Sequence, residues 1–350
     1  MLHRLHLKNL TVFADANLKF ADGLNLIVGE NGAGKTHVLK AAYTAIHVCA
    51  SRQKNGGNEG PTKAFLQKAI ADKLLGVFKP DELGRLVRRR QGRNRCEVTC
   101  SFAEHNALEF SFNTTSKKEV TVDKPIKRWL DKTPVYLPPR ELLTIYPGFV
   151  SLYETTHLQF EETYRDTCLL LGAPLAKGPR ESRIKELLEP IEKAMNGNVE
   201  SDSTGRFYLR SSSGKFEMHL VAEGLRKLAM LARLIATGQL VEKGYLFWDE
   251  PEANLNPRII KTVARSILHL CQSGIQVFIA SHSLFLMREL SILLESPEFA
   301  KTSGRFFGLH QAGNGFDVQQ GDSVDDIGDI ASLDEELMQS DRFLDVRMKS

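Results

Sequence analysis

Leu2, Leu5, Leu7 and Leu10 open a strand-like stretch, and Leu24-Asn25-Leu26-Ile27-Val28 is a second short apolar strand that runs into a glycine-rich turn. A helix is predicted to follow from Lys35 to about Ala50. Ser51 to Thr62 is polar and rich in Gly and Asn, an expected exposed loop, before a mixed helical stretch to Leu86. From Cys96 to Val122 the period changes to two, as in Val98-Thr99-Cys100-Ser101-Phe102 and Leu108-Glu109-Phe110-Ser111-Phe112, which predicts an antiparallel sheet inserted as a lobe of hairpins. Val135-Tyr136-Leu137 stops at Pro138-Pro139. Phe149 to about Met195 then reads as helices without sustained a/d heptads, so a compact helical insertion is expected and a long coiled-coil arm is not. Phe207-Tyr208-Leu209 and Lys215 to Leu220 flank Ser-Ser-Ser-Gly as a hairpin. Beyond it helix and strand alternate: helix 223–237, strand 245–248, helix 257–272, strand 276–280, helix 284–291. That alternation implies a parallel sheet. Asp322 to Glu336 is acidic and reads as a surface tail or edge, and no internal repeat is found. Three parts result: residues 1–149, a helical insertion and hairpin over 150–220, and 221–350.

Composition narrows the class. With 350 residues, 42% hydrophobic and 25% charged, the chain fits one large or two modest soluble domains. A net charge of +3 gives no global bias toward nucleic acid, so any basic binding surface is local. Cys49, Cys96, Cys100, Cys168 and Cys271 are scattered and lack CxxC spacing, which predicts reduced thiols, no zinc site and a cytoplasmic setting. Met1 to Phe13 alternates apolar and polar residues, and no run approaches the ~20 apolar residues of a membrane span. Neither an export signal nor a membrane helix is expected.

The chemistry is concentrated in three strand ends. Gly29-Glu30-Asn31-Gly32-Ala33-Gly34-Lys35-Thr36 matches GxxxxGK(S/T) between an apolar strand and a helix. There glycines let the backbone curl so that successive N–H groups face a phosphate, Lys35 neutralises the β/γ-phosphates and Thr36 can ligate Mg²⁺. Tyr245-Leu246-Phe247-Trp248-Asp249-Glu250 is an apolar strand ending in two carboxylates, the form of a Walker B strand. Asp249 is expected to hold Mg²⁺ through water, and Glu250 to polarise an attacking water as general base. Gln276-Val277-Phe278-Ile279-Ala280 is another buried-type strand ending at Ser281-His282, which puts His282 at the ligand edge of the sheet, within reach of a γ-phosphate. ATP and Mg²⁺ are the implied cofactors.

These elements resemble the ATP-binding-cassette superfamily in its RecF, SMC and OLD-like branch, and within it the small standalone ATPases of bacterial anti-phage defence systems. The resemblance implies an α/β, bilobal head with a mixed β-rich N-terminal lobe, a parallel-sheet P-loop core and an inserted helical subdomain. Leu5 to Phe13 looks like the branch's opening strand, which adds Lys8 and Asn9 to the nucleotide-binding candidates. Pro251-Glu252-Ala253-Asn254-Leu255-Asn256-Pro257 looks like its D-loop, with Asn254 and Asn256 facing a dimer interface, and His282 takes the switch-histidine place. Tyr136-Leu137-Pro138-Pro139-Arg140-Glu141 resembles the turn before the helical insertion. Two departures stand out. The signature reads Val221-Ala222-Glu223-Gly224-Leu225-Arg226-Lys227, keeping one glycine, with Glu223 and Gly224 as the trans contact to a partner's nucleotide. No glutamine ends the Val135 strand, and Arg140 or Glu141 is assigned its place.

The implied activity is ATP hydrolysis by an ATP-linked homodimer or higher oligomer, a clamp or sensor controlling a separate effector such as a nuclease. Only 68 residues follow His282, too few for a Toprim nuclease domain, so an effector is expected on another chain. The rival is a RecF-like repair clamp that grips nucleic acid through the run Arg85, Arg88, Arg89, Arg90, Arg93 and Arg95, of which Arg88, Arg89 and Arg90 are the candidate contacts. The degenerate signature and the missing glutamine argue against a transporter subunit.

Overall fold

The computed structural model describes residues 1–51, 60–89, 92–156, 158–176, 181–242, 244–313 and 315–348. The chain opens with β1 (Leu2–Leu10) and β2 (Phe13–Lys19), an antiparallel pair joined at Thr11-Val12. It then enters β3 (Leu24–Gly29), whose end carries the P-loop into α1 (Lys35–Ala50), followed by α2 (Lys63–Phe78). Strands β4 (Arg95–Phe102), β5 (Ala107–Asn113) and β6 (Thr121–Lys124) form the predicted antiparallel ladder. They are not a separate lobe. Strand β4 pairs with β1, Leu5 opposite Cys100, so all five strands make one sheet ordered β2-β1-β4-β5-β6.

Strand β7 (Pro134–Leu137) leads to the helical insertion of α3 (Tyr146–Thr155), α4 (Glu162–Leu171) and α5 (Glu181–Met195). These are short packed helices, as the missing heptads require. The hairpin of β9 (Phe207–Ser211) and β10 (Gly214–Glu217) gains a third strand, β8 (Gly197–Ser201), that its polar sequence did not announce. Then come α6 (Glu223–Ala236), α7 (Gln239–Glu242), β11 (Tyr245–Asp249), α8 (Pro257–Gln272), β12 (Gln276–Ser281) and α9 (Leu284–Leu294). The chain continues through β13 (Gly304–Ala312) and β14 (Gly315–Gly321) to α10 (Ala331–Met348). The acidic stretch from Asp322 is therefore a turn followed by a helix, and the β13–β14 hairpin before it is an element the periodicity did not reveal.

The site rests on a six-stranded sheet ordered β14-β13-β3-β12-β11-β7, parallel except for β14. Its central strands are apolar at nearly every position because both faces are covered. Leu26, Val28, Leu246, Trp248, Val277 and Ile279 point into a core shared with α6, α8, α9 and the helical insertion. Ile27, Phe247, Phe278, Ala280 and Phe307 point the other way, into a core shared with α1, α2 and the N-terminal sheet. The period of two thus makes this sheet the wall between two cores, and β3, β11 and β12 end on the same edge. No helix among the described residues is long and apolar enough to cross a membrane.

Candidate nucleotide-binding and hydrolysis site

The P-loop turns through Gly32 and Gly34, both left-handed at φ 84° and 92°. Gly34 is also a contact. A Cβ there would lie 2.6 Å from Val12 Cγ2 and 2.8 Å from Phe13, so the β1–β2 turn packs on the loop only because position 34 is bare. Lys35 is buried at the start of α1, and its Nζ donates to the carbonyls of Gly29 at 2.8 Å and Glu30 at 3.0 Å. Burial lowers its pKa, against the pull of Glu250, Asp249, Glu252 and Glu30. A helix N-terminus with a lysine beside it suits phosphate.

Asp249, 4% exposed at the end of β11, accepts from Thr36 Oγ1 on Oδ1 at 3.1 Å and from the Tyr136 hydroxyl on Oδ2 at 3.3 Å. Burial pushes its carboxyl up to about 6, and Glu250 adds to the rise against the Thr36 bond, Lys40 and Tyr136. Such a carboxylate invites a cation. Thr36 and Asp249 would suit Mg²⁺ in donor type, the hydroxyl as a ligand and the carboxylate bonded to it as the acceptor for an ion-bound water.

Glu250 begins the turn after β11 with φ 48°, and its amide donates to the Ala280 carbonyl of β12 at 2.9 Å. This left-handed step turns its carboxylate toward His282, whose Nδ1 lies 3.4 Å from Glu250 Oε1. Glu252, buried, fixes the other strand end by accepting from Ser281 Oγ at 2.6 Å and from the His282 amide at 3.3 Å. Lys227 of α6 reaches the same turn and donates to the Glu250 and Ala253 carbonyls. Burial lowers Lys227 to about 8 although four carboxylates, led by Glu252, oppose the shift.

The structure brings the P-loop, Asp249, Glu250 and His282 to one edge. Other candidates have local roles. Gly224 packs on the D-loop of its own chain: a Cβ there would lie 2.6 Å from the Asn254 carbonyl oxygen and 3.0 Å from Leu255 Cδ2. Glu223 is exposed in the first turn of α6, and Ala222 caps that helix without a side-chain bond. Asn254 is exposed and left-handed at φ 64°, while Asn256 caps α8 by accepting from the Ile259 amide at 3.0 Å. Lys8 is exposed, 3.5 Å from Glu97, and Asn9 donates to the Arg95 carbonyl at 3.1 Å. Neither lines the cavity of about 510 Å³ beside the P-loop, whose walls include Thr11, Val12, Arg85, Arg88 and Phe316.

The arginine run does not present one face. Arg88 is 6% exposed, and its amide donates to the Asn9 carbonyl at 2.9 Å; Arg85 and Arg89 are exposed; Arg90 lies outside the described residues. Arg95 pairs with Asp123 at 3.0 Å. Arg140 is exposed, whereas Glu141 is buried against Thr144 and Arg226. The side chain from this region that touches Asp249 is Tyr136, which the sequence reading did not single out. A tyrosine in an otherwise apolar strand was the available signal, because a buried hydroxyl needs a partner.

Comparison with known proteins bears on the family and the fold. A family model described as "AAA domain, putative AbiEii toxin, Type IV TA system" matches residues 108–288, just over half of the chain, and one described as "AAA domain" matches residues 4–133. The DNA replication and repair protein RecF of Salmonella typhi is 32% identical over 99 residues, 28% of this chain and 27% of that protein. That of Shewanella loihica is 50% identical over 42 residues, 12% of each. The matched segments thus span 27% of the Salmonella relative's length and 12% of the Shewanella relative's. In fold it is similar to an SMC head bound to the C-terminal winged-helix domain of ScpA, with TM-score 0.56, 13% identity and coverage of 93% of this chain and 98% of that one. The Pyrococcus furiosus Smc head with an extended coiled coil gives TM-score 0.53 at 10% identity, covering 97% and 99%. The chain belongs to the AAA-domain family whose model spans residues 108–288, and it has the fold of an SMC head.

Proposed function

We propose that this chain is a magnesium-dependent ATP hydrolase whose turnover gates dimerisation, and that it works as the cytoplasmic ATPase of a bacterial defence system, controlling a separate effector such as a nuclease. The observation that carries the hydrolase reading is one sheet edge that holds Thr36 3.1 Å from Asp249 and His282 3.4 Å from Glu250, with Lys35 buried beside them. In this reading Lys35 exchanges the Gly29 and Glu30 carbonyls for the β/γ-phosphates of ATP, and Thr36 and Asp249 hold the magnesium ion. The ion, when bound, neutralises charge on the phosphates. Glu250 takes the proton of the attacking water as its oxygen bonds to the γ-phosphorus and the bond to the β-bridging oxygen breaks. His282 orients Glu250 and hydrogen-bonds the γ-phosphate.

Dimerisation is supported by the first turn of α6, which has no side-chain cap and lies beside Leu220, an apolar residue 74% exposed. Its N–H groups would meet the γ-phosphate held by a second copy. Loss of that phosphate on hydrolysis loosens the contact. The defence role rests on the resemblance to small defence ATPases and on the toxin named in the family description. The rival repair clamp is less favoured, since burial of Arg88 and pairing of Arg95 remove two cations from the proposed nucleic-acid face. Light scattering of Glu250→Gln with Mg-ATP tests the gate. A doubling of mass that ADP does not cause supports it, and a mass indifferent to nucleotide across micromolar concentrations rejects it. The reading frames beside the gene test the setting: an adjacent effector is expected, and a repair neighbourhood would favour the rival.

A further inference from the structure

Tyr136 touches Asp249 without belonging to any of the phosphate or carboxylate motifs. It stands in β7, the edge strand of the six-stranded sheet, in register with Phe247 of β11. Because the two strands are parallel, paired residues project to the same face, and the Tyr136 and Phe247 rings lie 6.5 Å apart with 14° between their planes. Tyr43 of the P-loop helix packs edge-on against Tyr136 at 5.3 Å. The strand itself is tied to the helical insertion, since Thr167 Oγ1 of α4 donates to the Tyr136 carbonyl. A ring 2% exposed and held in this way has a fixed hydroxyl, and that hydroxyl lies 3.3 Å from Asp249 Oδ2.

We infer that Tyr136 is the positioning residue for Asp249. The terminal torsion of an aspartate is broad, so a carboxylate anchored at one oxygen still swivels. Thr36 anchors Oδ1 and Tyr136 anchors Oδ2, and the two donors together fix the carboxylate plane relative to the P-loop. A phenol donates at neutral pH. The inference rests on the reading of Asp249 as the magnesium carboxylate, and it gives a buried tyrosine from outside the P-loop and Walker B segments a part in cation binding.

The test is Tyr136→Phe, which keeps the ring packing and removes only the hydroxyl, beside Tyr43→Phe. The second variant disturbs the same aromatic cluster by removing a hydroxyl that bonds Asp166 at 2.6 Å instead. Binding of a fluorescent ATP analogue is followed by anisotropy in EDTA and across a MgCl₂ titration. In Tyr136→Phe the metal-free affinity should stay within about twofold of wild type, while the Mg²⁺ concentration for half the gain in affinity rises about tenfold, the lower end for a hydrogen bond to a charged group. Steady-state kcat should fall with little change in KM for ATP at saturating Mg²⁺. Tyr43→Phe should leave the Mg²⁺ requirement within about twofold. An unshifted Mg²⁺ requirement in Tyr136→Phe, or an equal shift in Tyr43→Phe, overturns the inference. If wild type gains no nucleotide affinity from Mg²⁺, the assignment of Asp249 fails and takes this inference with it; a wild-type gain that Tyr136→Phe retains unchanged rejects the role of Tyr136 alone.

Discussion

Gly224→Ala separates the two jobs that the signature-like glycine can have. The residue lies in the first turn of α6 with ordinary helical backbone, so in open space an alanine would stabilise the helix by about 0.5–1 kcal/mol. The contacts oppose this gain. The new methyl would sit 2.6 Å from the Asn254 carbonyl oxygen and 3.0 Å from Leu255 Cδ2, and the first of these is backbone that cannot rotate away. Helix and D-loop must therefore part by several tenths of an ångström, an overpacking cost of about 1–3 kcal/mol. The balance is a net loss of about 0–2.5 kcal/mol, about 1.3 kcal/mol at the midpoints. For a chain of 350 residues the unfolding entropy makes each kcal/mol worth roughly 1.4 °C, so nucleotide-free protein should melt about 2 °C lower. The same displacement moves the turn from Glu250 to Asn254, so ATP turnover should fall further than stability does. Calorimetry of the nucleotide-free protein with a phosphate-release assay reads both effects. A melting temperature above that of wild type would refute the packing of Gly224 on the turn after β11 in its own chain and leave only a contact across a dimer.

Other variants probe the electrostatics. Burial raises the Asp249 carboxyl from 3.8 to about 6, so the folded chain holds this proton more tightly than the unfolded chain, and the stability lent by the protonated form is lost as pH climbs through that window. Asp249→Asn should then stabilise metal-free protein by about 1–3 kcal/mol at pH 7.5 and by nothing below pH ~4, and equal differences at both pH values in urea melts would contradict the burial. Arg88→Glu, which places a carboxylate where a buried guanidinium stood, should cost more than about 3 kcal/mol, whereas Arg89→Glu on the surface should stay within about 0.5 kcal/mol; similar losses in the two would show that Arg88 is not buried. Lys227→Met removes the donor to the Glu250 and Ala253 carbonyls and should lower kcat at least about tenfold with nucleotide affinity within about twofold, and an unchanged kcat would deny it any hold on Glu250.

The parts of this protein legible in the sequence are those whose information is local. The P-loop, the two apolar strands β11 and β12, and the bounds of α1 and α8 follow from runs of apolar residues and their terminating glycine, carboxylate and proline. Strand β13 escaped because Gly304 and Gly308 interrupt it. Gly308 is there to let the Ile327 carbonyl approach, a contact with a residue far along the chain. Strand β8 is polar and held by pairing with β9, so no hydrophobic period marks it. The hairpins after Cys96 were legible as hairpins, yet their union with β1 depends on a register between segments some ninety residues apart. Arg88 looked like one more surface arginine, and only the zipping of its amide onto Asn9 at the end of β1 sends it inward. Gly224 and the turn after β11 each stood out in the sequence, while their packing on each other in one chain did not.

The central claim is that one sheet edge binds ATP through Lys35 and splits it through Glu250. Nucleotide affinity and phosphate release measured side by side on wild type, Lys35→Ala and Glu250→Gln test it most directly. The account predicts Mg-dependent release by wild type, binding weakened by at least about a hundredfold in Lys35→Ala, and wild-type affinity with turnover reduced at least about a hundredfold in Glu250→Gln. Tight ATP binding by Lys35→Ala, or phosphate release by Glu250→Gln at the wild-type rate, would contradict it.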